Sequence, residues 1–583
     1  MIIKALVDQY EILAKEKKVP PKGWSICKVT YALAINKNGK ILELANLTTE
    51  EGKRKIPRLL TVPEQPKRSS GIKPFFLADN ATYFLGIDPK ENLKKAQERF
   101  QKSKELHHEI LKGLDDPAAT AVLRFFENWS PGNAEKSEII ARNLEGLKKG
   151  SNLVFFFDGK FVHEYPAIRQ KWMNYLESSA AEPKAICSIT GNYTQIARLH
   201  PLIKGLRGAQ PAGASLVSFN DNAYLSHGKE QGMNAPIGKE AAFKYGAALN
   251  YLLENPDMHQ NINGTTYVFW AAHPKSQMFS RLMIQALLSE TIDQPMLNSA
   301  FNAIRQGKPI NIEENELAPD TSFYILGLSP NAARISVRFF SHNKFGFYAQ
   351  NLAAHQERLK IIRQKDDKKE LLGIDDLLKE ITNEKTREKK AADVIAGEVL
   401  RAVLLNTQYP QTLIANLAIR IRAEQKITRG KAAIIKAFYQ KNKNSECPEE
   451  VLTVSLNTET KNTPYLLGRA FAILEIIQES SNKSIKSTIR DRYFSSSSAT
   501  PSYIFPILIN LSQNHLKKIK SSQAGLGIAL ELKLGEILAE VGTVFPTRLT
   551  LPQQGAFQLG YYHQREDWYS SSKEKNIEKK ENN

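Results

Sequence analysis

Between Lys204 and Glu240 the sequence reads KGLRGAQPAGASLVSFNDNAYLSHGKEQGMNAPIGKE, and several kinds of chemistry have to be weighed there. One is a phosphate-binding loop, because Gly232 is followed by Gly238-Lys239. Such a loop needs four residues between its glycines and then a Ser or Thr after the lysine to hold magnesium. Here MNAPI intervenes and Glu240 follows, so a carboxylate stands where the hydroxyl is required and nucleotide hydrolysis is not expected. A Ser-His-Asp hydrolase would draw on Ser215 or Ser218, Asp221 and His227. No GxSxG elbow accompanies them, and triad members usually come from separate loops rather than one short run. Metal-dependent cleavage needs clustered carboxylates or histidines. The histidines are scattered, His107-His108 are neighbours that cannot share a helix face, and the Asp115-Asp116 and Asp375-Asp376 pairs fall in helix-like or loop sequence. Cys27, Cys187 and Cys447 form no CxxC pair and read as buried thiols. No catalytic residue, metal ligand or cofactor is expected from these residues.

Binding chemistry is better represented. Glycines at 205, 208, 213, 228 and 232 let backbone turn with positive φ or let a partner approach closely. Gln210, Asn220, Gln231 and Asn234 carry paired donors and acceptors suited to base edges, with Lys204 and Arg207 beside them for phosphates. A structural loop whose amides satisfy buried backbone is the plainer alternative. Upstream, Lys67, Arg68 and Lys73 lie in a Pro/Ser/Gly-rich stretch ahead of Phe75, Phe76, Asn80 and Tyr83, a mixture that suits backbone neutralisation and stacking. A surface loop followed by a core strand would look the same. Farther on, Arg420 to Lys443 contains eight basic residues and one acidic, with Arg422, Lys426, Arg429 and Lys436 near one face of a helix by spacing.

Composition narrows the partner. The 583 residues carry 80 Lys plus Arg against 61 Asp plus Glu, a formal charge of +19, which favours a polyanion, nucleic acid before an acidic membrane surface. The start lacks the unbroken apolar run of a signal peptide and no stretch is long enough to span a bilayer, so a cytoplasmic protein with no membrane partner is expected.

The elements that must hold these residues change along the chain. KVTYALAINKNGKILEL alternates around Asn38-Gly39 and SNLVFFFDGKFV turns at Asp158-Gly159, both hairpin signals. ENLKKAQERFQKSKELHHEILKGL reads as a helix with His107 and His108 on a largely polar surface. EAAFKYGAALNYLLE is a second helix and GTTYVFWAAH a buried strand. SFYILGLSPNAARISVRFF reads as two strands around Ser329-Pro330-Asn331, with Ile335, Val337 and Phe339 on a packed face and Arg334, Ser336 and Arg338 on a basic one. From about residue 345 helix formers dominate. The expected class is α+β: a mixed α/β domain over 1–344, a helical domain over 345–569, and a disordered, apolar-poor tail over 570–583.

Several stretches taken together resemble the large subunit of the type I-C (Dvulg-subtype) CRISPR surveillance complex, Cascade. The resemblance is carried by FLADNATYFLG, IARLHPLIKGLRGAQPAGASLVSFNDNAYLSHGKEQGMNAPI, TTYVFWA, LGLSPNAARISVRFF, PYLLGRAFAILEIIQE, RDRYFSSSSATPSYIFP and FPTRLTLPQQGAFQLGYYHQR, in order from residue 75 to 565. It implies a non-catalytic subunit that recognises the protospacer-adjacent motif in double-stranded DNA, aids R-loop formation and recruits a helicase-nuclease in trans. It also implies partnership with the crRNA-containing backbone and crRNA-end subunits and with a small subunit, which in such systems can arise by internal translation of the large-subunit gene. Here that product corresponds to about 454–569, and since the last methionine is Met296 its start codon would be non-AUG, near Val451, Leu452 or Val454. A nucleic-acid-processing nuclease of a defence system is the alternative function.

Overall fold

The computed structural model describes the chain apart from residues 52–53, 66–67, 69–70, 89–91, 135, 179–182, 220, 289–298, 300–301, 304–305, 307, 313–314, 365–366, 384–392, 483 and 582–583. It divides into two compact units, one of residues 1–201 and 217–251, the other of 202–216 and 252–583. The architecture is α+β, with strands confined to the first part and every described element from Phe345 onward helical.

In the first unit Tyr31–Ile35 pairs antiparallel with Ile41–Asn46 and parallel with Asn152–Phe157, which in turn pairs with Ala78–Asn80. Both expected hairpins form. Asn36 Oδ1 accepts from the N–H groups of Asn38 and Lys40, and Gly39 takes φ +73° where a Cβ would lie 2.3 Å from the Phe125 nitrogen. The helix Pro117–Asn128 starts on Asp116, whose carboxylate accepts from the N–H groups of Ala118 and Ala119, with proline at the first position where its missing donor costs nothing. Its Phe125 and Phe126 pack against Phe155 and Phe84, each fully buried and contributing about 1.5–3 kcal/mol.

The helix Leu93–Leu111 forms as expected, but His107 is not on its polar surface. The ring is fully buried among Phe76, Phe84 and Phe126, accepts from Leu77 N–H at Nε2 (3.0 Å) and contacts the Ser103 carbonyl at Nδ1 (2.7 Å). Burial pushes its pKa down to about 4, so it is a neutral core side chain. The helix turns its apolar stripe inward, and a histidine can ride in that stripe once both ring nitrogens have partners.

In the second unit a six-stranded sheet runs in the order Leu202–Ile203, Ala214–Ser215, Arg334–Lys344, Ser322–Asn331, Thr265–Ala271, His259–Ile262. Thr265–Ala271 is β-branched and aromatic, follows a turn at Asn263-Gly264, and buries all seven residues. The long central hairpin turns later than expected: Asn331 pairs with Arg334 across Ala332-Ala333, and Ala332 takes φ +52°. A two-residue loop of that kind matches the twist of its strands, so Pro330 stays in the strand opposite Ile335. A bulge where Gly327 and Leu328 face Phe339 and Val337 inserts Arg338 as an extra residue. The expected alternation therefore breaks, and Val337 is exposed.

The sheet's last strand leads directly into the helix Phe345–Leu359, and one hydrophobic core continues from Phe323 and Phe339 through Leu352, Val399 and Ile435 to Phe471 and Tyr561. The composition change near 345 is thus a change of secondary structure within one core. Thr463–Ser481 is surrounded by the helices Pro501–Ser522, Ala524–Val541 and Leu551–Glu581, and its residues from Pro464 to Ile477 are all buried. Gly468 and Gly560 allow this crossing, because a Cβ on either would sit about 2 Å from the facing carbonyl. Glu475, also buried, is paired with Arg490 and Arg565 and accepts from Tyr561 and Thr488 hydroxyls. The last helix continues through 570–581, where no regular structure was expected. Its Glu and Lys residues are good helix formers, and extending an existing helix avoids the cost of nucleation.

Candidate nucleic-acid interface

The glycine-rich segment is split between the two units. In the second unit, Leu202–Ile203 and Ala214–Ser215 pair at one edge of the sheet and the chain between them loops outward. Gly205, Gly208 and Gly213 take φ +78°, +85° and +100°, and at Gly213 a Cβ would approach the Ile203 carbonyl to 2.8 Å. This loop exposes Lys204, Arg207 and Gln210. The Gln210 carbonyl accepts from Gly213 N–H at 2.8 Å, closing the loop, while the Arg207 and Gln210 side chains have no hydrogen-bond partner among the described residues. A cation and an amide exposed on one short loop suit a phosphate and a base edge.

In the first unit residues 221–230 are exposed without interruption, and Asn234 holds them. Its Oδ1 accepts from Ser226 N–H at 2.9 Å, and its Nδ2 donates to the carbonyls of Lys229 and Gln231, each at 3.0 Å. Ser226 and Lys229 bridge across His227 and Gly228, which take φ +52° and +67°. The Gln231 side chain accepts from Arg198 at 2.6 Å, and Gly232 lies so close to the Ala197 carbonyl that a Cβ would be 2.0 Å away. Asn234 and Gln231, expected as base readers, thus spend their amides internally, Asn234 on the loop itself and Gln231 on Arg198. The side chains left outward include Asn222, Tyr224, His227 and Lys229. Asp221 caps its own turn through Ala223 N–H. Asn220 lies outside the described residues.

The 67–83 stretch is also more internal than its composition suggested. Arg68 lies between the rings of Phe75 and Tyr83, 3.7 and 4.0 Å from their centroids, pairs with the buried Asp79, and donates from Nε to the Lys73 carbonyl at 2.6 Å. Burial raises the Asp79 carboxyl to about 6 against the opposing pull of Arg68. Asn80 caps the helix Ala81–Phe84 by accepting from Thr82 N–H at 3.1 Å. Lys73 is exposed, and Lys67 lies outside the described residues.

The expected basic stripe of the helical part is not one surface. Gln411–Glu424 ends at Gln425, which turns left-handed at φ +51°, and Arg429–Asn442 begins a new helix. Arg422 and Lys426 are exposed, but Arg429 donates to Asp367 at 2.8 Å and to the carbonyls of Lys369 and Glu370, and Lys436 is buried. Helical spacing places residues on one face only where the helix is continuous.

One feature was not legible beforehand. Trp270, Tyr324 and His342 are register partners on three adjacent strands, and their rings stack at 5.1 and 4.2 Å with interplanar angles of 9° and 6°. The ladder runs from the buried Trp270 to the exposed His342, two residues from the exposed Lys344. An aromatic face beside a cation is the ordinary platform for an unpaired base. Each strand carries an aromatic, but only the register aligns them.

The family model for CRISPR-associated protein (Cas_Csd1) matches residues 6–569. The chain belongs to that CRISPR-associated family. A search of curated proteins found no match. The family match spans the sheet-edge loop, the loop held by Asn234 and the helical bundle alike. Among the described residues no helix is long and apolar enough to cross a membrane, and no cluster of His, Cys, Asp and Glu has metal-binding geometry.

Proposed function

We propose that the chain is the non-catalytic large subunit of a type I-C Cascade complex, that it recognises the protospacer-adjacent motif in duplex DNA, and that it recruits a separate helicase-nuclease once the R-loop forms. The observation carrying this reading is the glycine-shaped loop at the sheet edge, which turns Arg207 and Gln210 outward with their side chains uncommitted. Protein reading a short duplex motif while a guide reads the target is a division of labour known from single-protein effectors. The crRNA-bearing backbone and crRNA-end subunits complete the proposed assembly, in the cytoplasm, together with a small subunit made from the same gene. The Thr463–Ser481 helix, buried from Pro464 to Ile477, and its surrounding helices supply the core such a C-terminal product needs.

Reconstituting the complex with and without this chain tests the proposal. With the chain present and the helicase-nuclease absent, duplex carrying the motif binds more tightly than scrambled duplex and stays uncut in the presence of magnesium. Equal binding with and without the chain overturns the recognition role, and metal-dependent cleavage returns the reading to a nuclease.

A further inference from the structure

At the end of the helix Phe345–Leu359, the facing helix Arg429–Asn442 brings three like charges together. Lys436, 2% exposed, donates from Nζ to the Arg358 carbonyl at 3.0 Å, at the negative end of the helix dipole. The Arg358 Nη2 and Lys441 Nζ both donate to one atom, Asn406 Oδ1, at 3.2 and 3.0 Å, so these two cationic heads lie within about 6 Å of each other. Arg358 is held further by the Tyr409 hydroxyl, 3.4 Å from its Nε, and Asn406 sits in the left-handed region at φ +53°.

What the cluster lacks is a carboxylate. Among the described residues none lies within ion-pair distance of Arg358, Lys436 or Lys441, and the neighbouring Glu357 pairs with Lys360 at 2.8 Å. Elsewhere in this unit Lys431, Arg429 and Arg565 are matched by Glu424, Asp367 and Glu475, while the buried Arg469 faces the amide oxygen of Gln564. The acceptors at the cluster are carbonyls and amides, which orient cations without neutralising them. Burial, with Arg358 and Lys360 adding to it and Glu357 opposing, lowers the Lys436 ammonium to about 8, and burial with Arg358 also lowers Lys441. An anion would relieve this cost. The cluster reaches the surface beside the exposed Thr407 and Gln408.

We propose that Arg358 and Lys441, with the buried Lys436 adding its charge behind them, form a phosphate-binding site whose ligand is the phosphodiester backbone of a nucleic-acid strand. The site deepens the function proposed above and rests on it for the choice of strand over free phosphate. The glycine-rich loops do not contribute to it, and of the expected basic stripe only the buried Lys436 does.

The test uses the full chain and two probes without sequence information, a twenty-nucleotide oligo(dT) and a twenty-nucleotide oligo(U), with binding followed by anisotropy at several salt concentrations. Arg358→Gln with Lys441→Gln is expected to weaken at least one probe about tenfold and to lower the log-log salt slope by about 0.7 per lost contact. The probe that loses more identifies the strand as DNA or RNA. If the double variant folds poorly, Lys441→Gln at the rim carries the test with a slope reduction of about 0.7. An unchanged slope in a variant of unchanged melting temperature overturns the site. So does stabilisation of the wild-type chain by inorganic phosphate that neither oligonucleotide competes with, since the ligand would then be free phosphate. Failure here is distinct from failure of motif recognition, which would appear in the wild-type complex as equal binding of motif-bearing and scrambled duplex.

Discussion

The Arg68 guanidinium and the Asp79 carboxylate form an ion pair that the fold largely withdraws from water, with the Asp79 side chain 1% exposed and the arginine closed in by Phe75 and Tyr83. An arginine so placed holds its own loop. Arg68→Ala leaves a buried carboxylate without its cation and is expected to destabilise the first unit by about 3–5 kcal/mol. Urea unfolding measures this. A variant of unchanged stability whose DNA-binding salt slope falls would instead make Arg68 a phosphate contact.

Burial of Asp79, which outweighs the opposing pull of Arg68, sets a pH dependence. Because the folded Asp79 carboxyl titrates at about 6, above its ordinary 3.8, the folded state binds its proton more tightly than the unfolded chain. The resulting stabilisation is full below pH of about 4 and is lost as pH rises through about 6. Comparing wild type with Asp79→Asn across that range isolates it: the stability advantage of the wild type shrinks between about pH 4 and 6, and a constant difference would contradict the assignment.

Asn234 and Gln210 are expected to separate loop support from base reading. Asn234→Ala removes three hydrogen bonds that shape residues 221–230, so amide exchange in that loop rises and motif-bearing and scrambled duplexes lose affinity by the same factor. Gln210→Ala leaves exchange unchanged and lowers affinity for motif-bearing duplex alone, by about 1–3 kcal/mol. Binding curves on the two duplexes, read beside exchange, decide both; a motif-selective loss in Asn234→Ala would restore it as a reader.

Much of this was legible in the sequence where the signal is local. The turns at Asn38-Gly39 and Asp158-Gly159 and the β-branched run at Thr265–Ala271 announced themselves, because turn chemistry and strand propensity act over a few residues. Side-chain commitments were not legible. Asn234, Gln231, Arg68 and Arg429 have the composition of a recognition surface, yet each is bonded to a partner that only the folded chain brings near. His107 was misjudged for the same reason, since its Leu77 partner is thirty residues away. The bulge that exposes Val337 and the register that stacks Tyr324 on His342 depend on strand pairing, which alternation alone does not fix.

A separate C-terminal polypeptide is expected from the native operon. Phe471, Phe494, Phe505, Phe557 and Tyr561 pack together entirely within the region from Thr463 onward, as does the Glu475 network, so a product starting near Val451 retains a core of its own. Mass spectrometry of the purified complex should find it at roughly 14–15 kDa, as its chain length dictates. Its absence, or its persistence after synonymous recoding of 440–460, would rule out initiation there.

The central claim is that this chain reads a short duplex motif beside the guide-matched target. The most direct measurement incubates the assembled complex with a target duplex whose flanking base pairs are randomised, and sequences the bound fraction. Enrichment of a few bases at fixed positions next to the target is expected, weakened at one of them by Gln210→Ala. A bound fraction as random in its flanks as the starting library would contradict it.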